Sequence, residues 1–113
     1  MRKILNENKI TKRAQDSIAN FHAAAVADVE NAVQNNEWVI VGMAHNIPVK
    51  NARKLLKAKD IKYKYIEHGN YFAGWKVRLA IKLWSGWPTF PQVFHKGVLV
   101  GGFSDLKAYL ATT

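Results

Sequence analysis

Apolar residues recur every three to four positions from Ile10 to Val33, with polar residues between them. This spacing predicts one amphipathic helix, because residues three and four apart share a helix face. Thr11 would cap its start and Asn35–Asn36 would end it. Because its apolar stripe must pack on something, we expect the helix to cover an edge or face of the main sheet.

The rest of the chain alternates between short apolar runs and amphipathic segments. Trp38–Met43 is a continuous run rich in β-branched residues, which predicts a buried central strand. The order α-β-α-β-α-β-β-α predicts an α/β domain with a mixed four-stranded sheet flanked by helices. The other predicted elements are a helix from Ile47 to Lys59 capped by Asn46, a strand over Ile61–Ile66, a helix over Tyr71–Trp84 with Trp75, Leu79, Ala80 and Leu83 inward, a hairpin of Gln92–His95 and Val98–Gly101, and a helix from a Ser104 or Asp105 cap to Leu110.

Positive charge is concentrated in the middle of the chain. Of the net charge of +9, the segment 47–82 carries +8, because ten Lys or Arg residues oppose only Asp60 and Glu67. Such a field attracts anions of any kind. One predicted helix face either binds nucleic acid or an acidic protein or is simply the solvated back of its helix. That face consists of Lys50, Arg53, Lys54 and Lys57.

The chain contains no cysteine, which excludes disulfides, thiolate metal sites and cysteine nucleophiles. The four histidines show no metal-ligand spacing, so we expect no metal site. No apolar run is long enough to cross a bilayer, and the basic N-terminus lacks the apolar stretch of a secretory signal. We therefore expect a cytoplasmic protein without a membrane partner.

Two short motifs carry a family resemblance. Trp87-Pro88-Thr89-Phe90-Pro91-Gln92 precedes the predicted hairpin, and Gly101-Gly102-Phe103-Ser104-Asp105 follows it. Together they resemble the glutathione-binding half of the glutaredoxins, and the residues of the first motif are similar to those of the monothiol branch. The resemblance implies a thioredoxin-like fold, with a helical extension at 1–36 and a glutaredoxin-like domain at 37–113. It also implies a role in cell redox homeostasis.

The first motif is similar to the family's cis-proline turn. The resemblance implies that Thr89, Phe90 and Pro91 line a cleft for glutathione or a peptide thiol. In the family, such a turn leaves backbone groups unpaired, and an X–Pro bond makes the cis form accessible. The N–H and C=O of Phe90 would pair with the cysteinyl part of glutathione as a short added strand.

The second motif is similar to the family's strand-to-helix turn, which holds the γ-glutamyl end of glutathione. The resemblance implies this role for Gly102, Phe103, Ser104 and Asp105, although Ser104 stands where the family usually has Asp. Glycine lets a backbone approach a ligand closely, and a helix start offers free N–H groups to a carboxylate. Arg78 corresponds to a basic residue that contacts the glycyl carboxylate in monothiol relatives.

The chain departs from the family at the catalytic position. Family members carry one or two cysteines where a helix begins after the first strand. Here these positions hold Asn46 and Val49, or Ile47 and Lys50 in a register shifted by one. Because Asn cannot form a mixed disulfide, we expect no thiol–disulfide exchange. Since the family's iron–sulfur binding uses the same cysteine, we also expect no cluster.

Three functions remain open on this evidence. The first is a non-catalytic module that keeps the glutathione-type cleft. The second is an enzyme of weak or different glutathione chemistry, in which Asn46 and His45 stabilise a bound thiolate by hydrogen bonds. The third is a basic scaffold that binds nucleic acid or an acidic protein.

Overall fold

The computed structural model describes residues 2–112. Within them the helices are α1 (Lys12–Asn20), α2 (Ala23–Asn35), α3 (Ile47–Ala58), α4 (Trp75–Ser85) and α5 (Phe103–Ala111), with a short 3₁₀ helix at Glu7–Lys9. The strands are β1 (Trp38–Gly42), β2 (Lys64–Glu67), β3 (Gln92–His95) and β4 (Val98–Gly101). No helix in the described part of the chain is long and apolar enough to span a membrane.

The strands form one mixed sheet in the order β2-β1-β3-β4. β1 pairs in parallel with β2 and antiparallel with β3, and β3 and β4 form the predicted hairpin. All five residues of β1 are buried, as expected of a central strand covered on both faces. The predicted mixed four-stranded sheet is confirmed.

Alternate residues of β1 enter two different cores, because successive side chains of a strand point to opposite faces. Val39 and Val41 pack with residues of α2 and α4, including Val29 and Ile81. On the other face, the core is built by α3 and α5 around Ile40. Its buried members are Trp38, Ile40, Ala52, Leu56, Val93 and Leu106.

The predicted single helix from Ile10 to Val33 is wrong, because the chain breaks between α1 and α2 at His22. His22 has φ 47°, in the left-handed region. One such residue redirects a helix without disturbing the spacing of apolar residues, so the pattern gives no sign of it. The Thr11 cap is confirmed at the start of α1, and α2 ends at Asn35.

The helix expected over Tyr71–Trp84 starts later, at Trp75, because Gly74 interrupts it with φ 81°. Its predicted orientation is largely wrong. Ala80 is buried, but Trp75, Leu79 and Leu83 are exposed, and Arg78 and Ile81 take their place inside. Apolar residues lie on both sides of α4, so helical periodicity alone does not identify the side that packs on the sheet.

Two further boundaries differ from prediction. The second strand covers Lys64–Glu67 rather than Ile61–Ile66, in parallel register with β1. α5 starts at Phe103 with Gly102 as its N-cap, not with Ser104 or Asp105. The division at residue 36 stays a prediction, although α2 contributes buried residues to the sheet core.

Candidate ligand-binding cleft

The turn before β3 contains a cis peptide bond between Phe90 and Pro91, as the first motif implied. Pro91 is buried. Gln92 anchors the turn, because its Nε2 donates to the backbone oxygen of Trp87 at 3.1 Å. Among residues 2–112, the backbone N–H and C=O of Phe90 take part in no hydrogen bond. The turn therefore offers an unpaired donor and an unpaired acceptor.

The two motifs lie side by side. A Cβ atom placed on Gly102 would lie 3.7 Å from Trp87 Nε1 and 3.8 Å from the backbone oxygen of Pro91. Gly101 adopts φ 125°, a conformation that side chains rarely allow. A Cβ there would also come within 2.8 Å of the Asp105 carboxylate. Glycine is therefore required at Gly101, and Gly102 lies next to Trp87 and the proline turn.

The start of α5 borders the same space. Asp105 Oδ2 accepts a hydrogen bond from the Gly102 N–H at 3.0 Å, which fixes the strand-to-helix turn. The N–H groups of Phe103, Ser104 and Asp105 donate no backbone hydrogen bond in the described chain. A helix start with free N–H groups carries partial positive charge and suits a carboxylate. Ser104 and Asp105 are exposed, and so is Thr89 across the turn.

Asn46, which the sequence analysis aligns with the family's catalytic position, is a helix cap. Asn46 Oδ1 accepts a hydrogen bond from the Val49 N–H at 2.9 Å, which confirms Asn46 as the N-cap of α3. Its Nδ2 donates to the Tyr71 hydroxyl at 3.5 Å. Val49 is buried against Gly42. Neither side chain contains a nucleophile, and the exposed Ile47 of the alternative register contains none either.

Arg78 is only 7% exposed and holds a loop in place. Its Nη1 donates to the backbone oxygens of Ala73 at 2.7 Å and of His68 at 3.0 Å. This side chain therefore fixes the turn that connects β2 to α4, a role the sequence analysis missed. The contact with a glycyl carboxylate stays a prediction.

His68 lies at the end of β2 on this loop, and its buried Nε2 has no hydrogen-bond partner among residues 2–112. Burial lowers the pKa of His68 below 6.5, and the Arg78 charge lowers it further against the opposing effect of Asp28. The loop also joins the end of β1, because the His68 N–H donates to the Gly42 oxygen at 2.9 Å. It thereby brings Tyr71 next to Asn46.

The basic face of α3 is partly tied down by tyrosines. The Arg53 guanidinium lies 3.9 Å from the Tyr65 ring centroid, and its Nε donates to the Tyr63 hydroxyl at 3.4 Å. Burial and the Glu67 carboxylate raise the pKa of Tyr65 to about 12. A shallow groove on this face is lined by Lys50, Arg53, Lys54, Lys57 and Tyr63.

Gln92 was not singled out by sequence reasoning, yet it is fully buried and positions the proline turn. The signal was present, since a polar residue opens an otherwise apolar strand. Its Oε1 and the Trp87 Nε1 are buried without partners in the described chain. No group of three or more His, Asp or Glu residues with metal-binding geometry occurs between residues 2 and 112.

Comparison with known proteins identifies the family. A family model described as "Glutaredoxin" matches residues 50–100. The "Glutaredoxin-like protein" of Dictyostelium discoideum is 42% identical over 97 residues, which cover 86% of this chain and 79% of the relative. "Monothiol glutaredoxin-4" of Schizosaccharomyces pombe is 42% identical over 48 residues, covering 42% of this chain but 18% of that protein.

Solved structures share the fold. The buckwheat glutaredoxin–glutathione complex superimposes with a TM-score of 0.70 at 20% identity, covering 82% of this chain and 84% of that one. Wheat glutaredoxin gives 0.67 at 25% identity, with 77% and 82% covered. The fold is therefore thioredoxin-like, as predicted. The chain belongs to the glutaredoxin family, although it contains no cysteine.

Proposed function

We propose that this protein is a non-catalytic glutaredoxin-like module that binds glutathione, or a peptide thiol of the same shape, between the Phe90–Pro91 turn and the start of α5. The observation that carries the proposal is the unpaired backbone of Phe90 beside the unoccupied N–H groups of α5. The ligand fits these groups, because an extended cysteinyl unit offers one donor and one acceptor, which can pair with the C=O and N–H of a single residue as in an added strand.

The other end of glutathione matches the second motif. Its γ-glutamyl carboxylate would accept hydrogen bonds from the N–H groups of Phe103 and Ser104 at the α5 N-terminus. The ammonium group beside it would approach Asp105, whose Oδ1 is not used by the Gly102 hydrogen bond. Support also comes from the similarity in fold to a glutaredoxin that was solved with glutathione.

Catalysis by thiol–disulfide exchange is not part of the proposal. The reaction requires a thiolate that attacks a disulfide sulfur, and the amide of Asn46 has no such reactivity. Asn46 instead stabilises α3 through its cap. We place the protein's role in cytoplasmic redox homeostasis, where a glutathione-binding protein without a nucleophile would sequester or sense the ligand.

The test is a titration with reduced glutathione, followed by the amide shifts of the ¹⁵N-labelled protein. We expect saturable shifts at Phe90 and 101–105, and the same shifts with S-methylglutathione, because the proposed contacts use backbone and carboxylate groups. Cysteinylglycine, which lacks the γ-glutamyl unit and its adjacent carboxylate and ammonium groups, is the matched control and should leave 101–105 unmoved. If no shifts occur at millimolar glutathione, the proposal is wrong.

A disulfide-reduction assay separates the module from the enzyme hypothesis. Turnover by the wild-type chain would mean that Asn46 and His45 act on a bound thiolate, and it would contradict a purely binding role. We expect retained binding and no turnover.

A second candidate function has its own observation, the groove lined by lysines on α3. An anionic partner, nucleic acid or an acidic protein, would bind there through the exposed Lys50, Lys54 and Lys57, whereas Arg53 is engaged with tyrosines. Binding of this kind weakens steeply as salt rises. If the affinity for nucleic acid does not change with salt, or if no binding occurs at low salt, nucleic acid is not the partner of this groove.

A further inference from the structure

Several large apolar side chains of α4 lie on its exposed side instead of packing against the sheet. Phe72 is 96% exposed, Trp75 58% and Leu83 61%, and Leu79 lies between them. Positions 75, 79 and 83 are four apart and form one stripe along the helix, which Phe72 extends on the preceding turn. We call these four residues the outer face of α4. Contiguous exposed apolar surface of this kind marks an interaction site.

The turn that presents Phe72 is firmly held. Asn70 Oδ1 accepts hydrogen bonds from the Phe72 N–H at 2.8 Å and the Ala73 N–H at 3.0 Å. The Asn70 N–H donates to the Ala73 oxygen, and Arg78 Nη1 donates to that same oxygen. The exposed ring is therefore projected by an ordered turn.

The charges that α4 itself places beside this face have one sign, although Glu30 of α2 lies near its Leu83 end. Lys76 and Lys82 flank the stripe, and α4 contains no acidic residue. The Lys76 ammonium lies 5.6 Å from the Trp75 ring centroid and the Lys82 ammonium 5.7 Å from that of Phe90. The outer face is thus an apolar stripe with cationic borders. A complementary partner surface would present anionic groups to the lysines and an apolar layer behind them to the stripe.

A second copy of the chain does not meet this requirement. Two outer faces packed together would bring the lysines of one copy against those of the other without an acidic residue of α4 between them, and like charges repel. A rigid protein partner would need a pocket shaped to the protruding Phe72 ring. A lipid bilayer accepts such a ring without a preformed pocket, because aromatic side chains settle at its interface.

We propose that the outer face of α4 docks the protein peripherally on an anionic lipid surface. Phe72, Trp75 and Leu83 enter the headgroup–acyl boundary while Lys76 and Lys82 contact anionic headgroups. Docking keeps the candidate cleft near the membrane, since Lys82 borders the Phe90 ring. This proposal revises the expectation of no membrane partner, which rested on the absence of a spanning segment.

The test is co-sedimentation of the chain with vesicles of phosphatidylcholine alone or with about 30 mol % phosphatidylserine. We expect binding to the anionic vesicles only. Leu83→Ser should weaken it several-fold and Phe72→Ser by about tenfold, whereas Val98→Ser, which removes an equally exposed apolar side chain on β4, should have little effect. All three positions are exposed, so folding is preserved.

A charge-matched pair separates docking from general attraction. Lys76→Gln with Lys82→Gln should reduce partitioning about thirtyfold, and Lys54→Gln with Lys57→Gln on α3 only slightly. Brominated lipid should quench tryptophan emission in the wild type and much less in Trp75→Phe. Equal losses for both lysine pairs, equal binding to neutral vesicles, or no binding to the anionic vesicles would each overturn the proposal. If no vesicles bind and the chain forms a dimer that Leu83→Ser abolishes, a second copy occupies the outer face instead.

Discussion

At the start of α3, which we call the α3 end, Asn46, or Ile47 in the shifted register, aligns by sequence with the family's catalytic position; Asn46 caps the helix and Ile47 is exposed. At the α5 end, formed by the turns before β3 and α5, the features in place are a cis-proline turn, an unpaired Phe90 backbone and a glycine with φ 125°. Thiol chemistry at the α3 end would depend on one side chain, whereas the recognition we propose at the α5 end would depend on backbone conformation. We therefore expect that one substitution can remove catalysis and leave the proposed binding geometry in place, and the following experiments test that separation.

The largest effect is expected from restoring the nucleophile. Asn46→Cys places a thiol at the start of α3, where free N–H groups favour the thiolate. We expect glutathione-dependent disulfide reduction at least about 100-fold above that of an Asn46→Ser control. Loss of the Asn cap should cost about 1 kcal/mol. If Ile47→Cys is active and Asn46→Cys is not, the shifted register is correct, and if neither is active, the α5 end does not position glutathione for reaction.

The next effect concerns Arg78, which we assign to the loop of the α3 end. Arg78→Met would leave the backbone oxygen of His68 without its partner and the Ala73 oxygen with only the Asn70 N–H. We expect a cost of about 3 kcal/mol in the free energy of unfolding. Urea denaturation measures it, and glutathione affinity of the folded variant should change little. A stability loss below about 1 kcal/mol together with weaker binding would instead assign Arg78 to the ligand.

A smaller effect is expected at the α5 end from Gly101→Ala. The change imposes a side chain at φ 125° and a Cβ within 2.8 Å of Asp105, so we expect a loss of about 2 kcal/mol and weaker glutathione binding. Gly97→Ala is the control, because Gly97 also has positive φ but an added Cβ would touch nothing within 4 Å. Equal effects of the two substitutions would mean that backbone strain, not the contact with Asp105, matters.

The smallest effect is pH-dependent. Burial holds the pKa of His68 below 6.5, so the folded protein binds fewer protons than the unfolded chain at mildly acidic pH. The contribution of His68 to stability is therefore complete above pH 6.5 and is lost as the pH falls through the lower folded pKa. NMR titration of the ring and denaturation of His68→Gln, which should flatten the profile, measure it. A folded pKa above 6.5 would contradict the assignment.

Much of the fold was accessible from the sequence because local pattern and tertiary environment agree there. The apolar run of β1, the Asn46 cap and the hairpin bounds match the structure. Prediction failed where one pattern of apolar residues is compatible with two orientations of a helix. α4 has apolar residues on both sides. The side that packs against the sheet contains Ala80, Ile81 and the hydrogen-bonded Arg78, and not Trp75.

The candidate site divides in the same way. The motifs and the missing cysteine identified the family and predicted the loss of thiol chemistry, since both depend on residue type alone. Only the tertiary structure decided three other features. The Pro91 turn and Gly102 are neighbours, Phe90 keeps its backbone unpaired, and the Arg78 side chain turns inward. The physical reason is that contacts between distant segments and the burial of a helix face depend on the whole packed sheet, which no local spacing encodes.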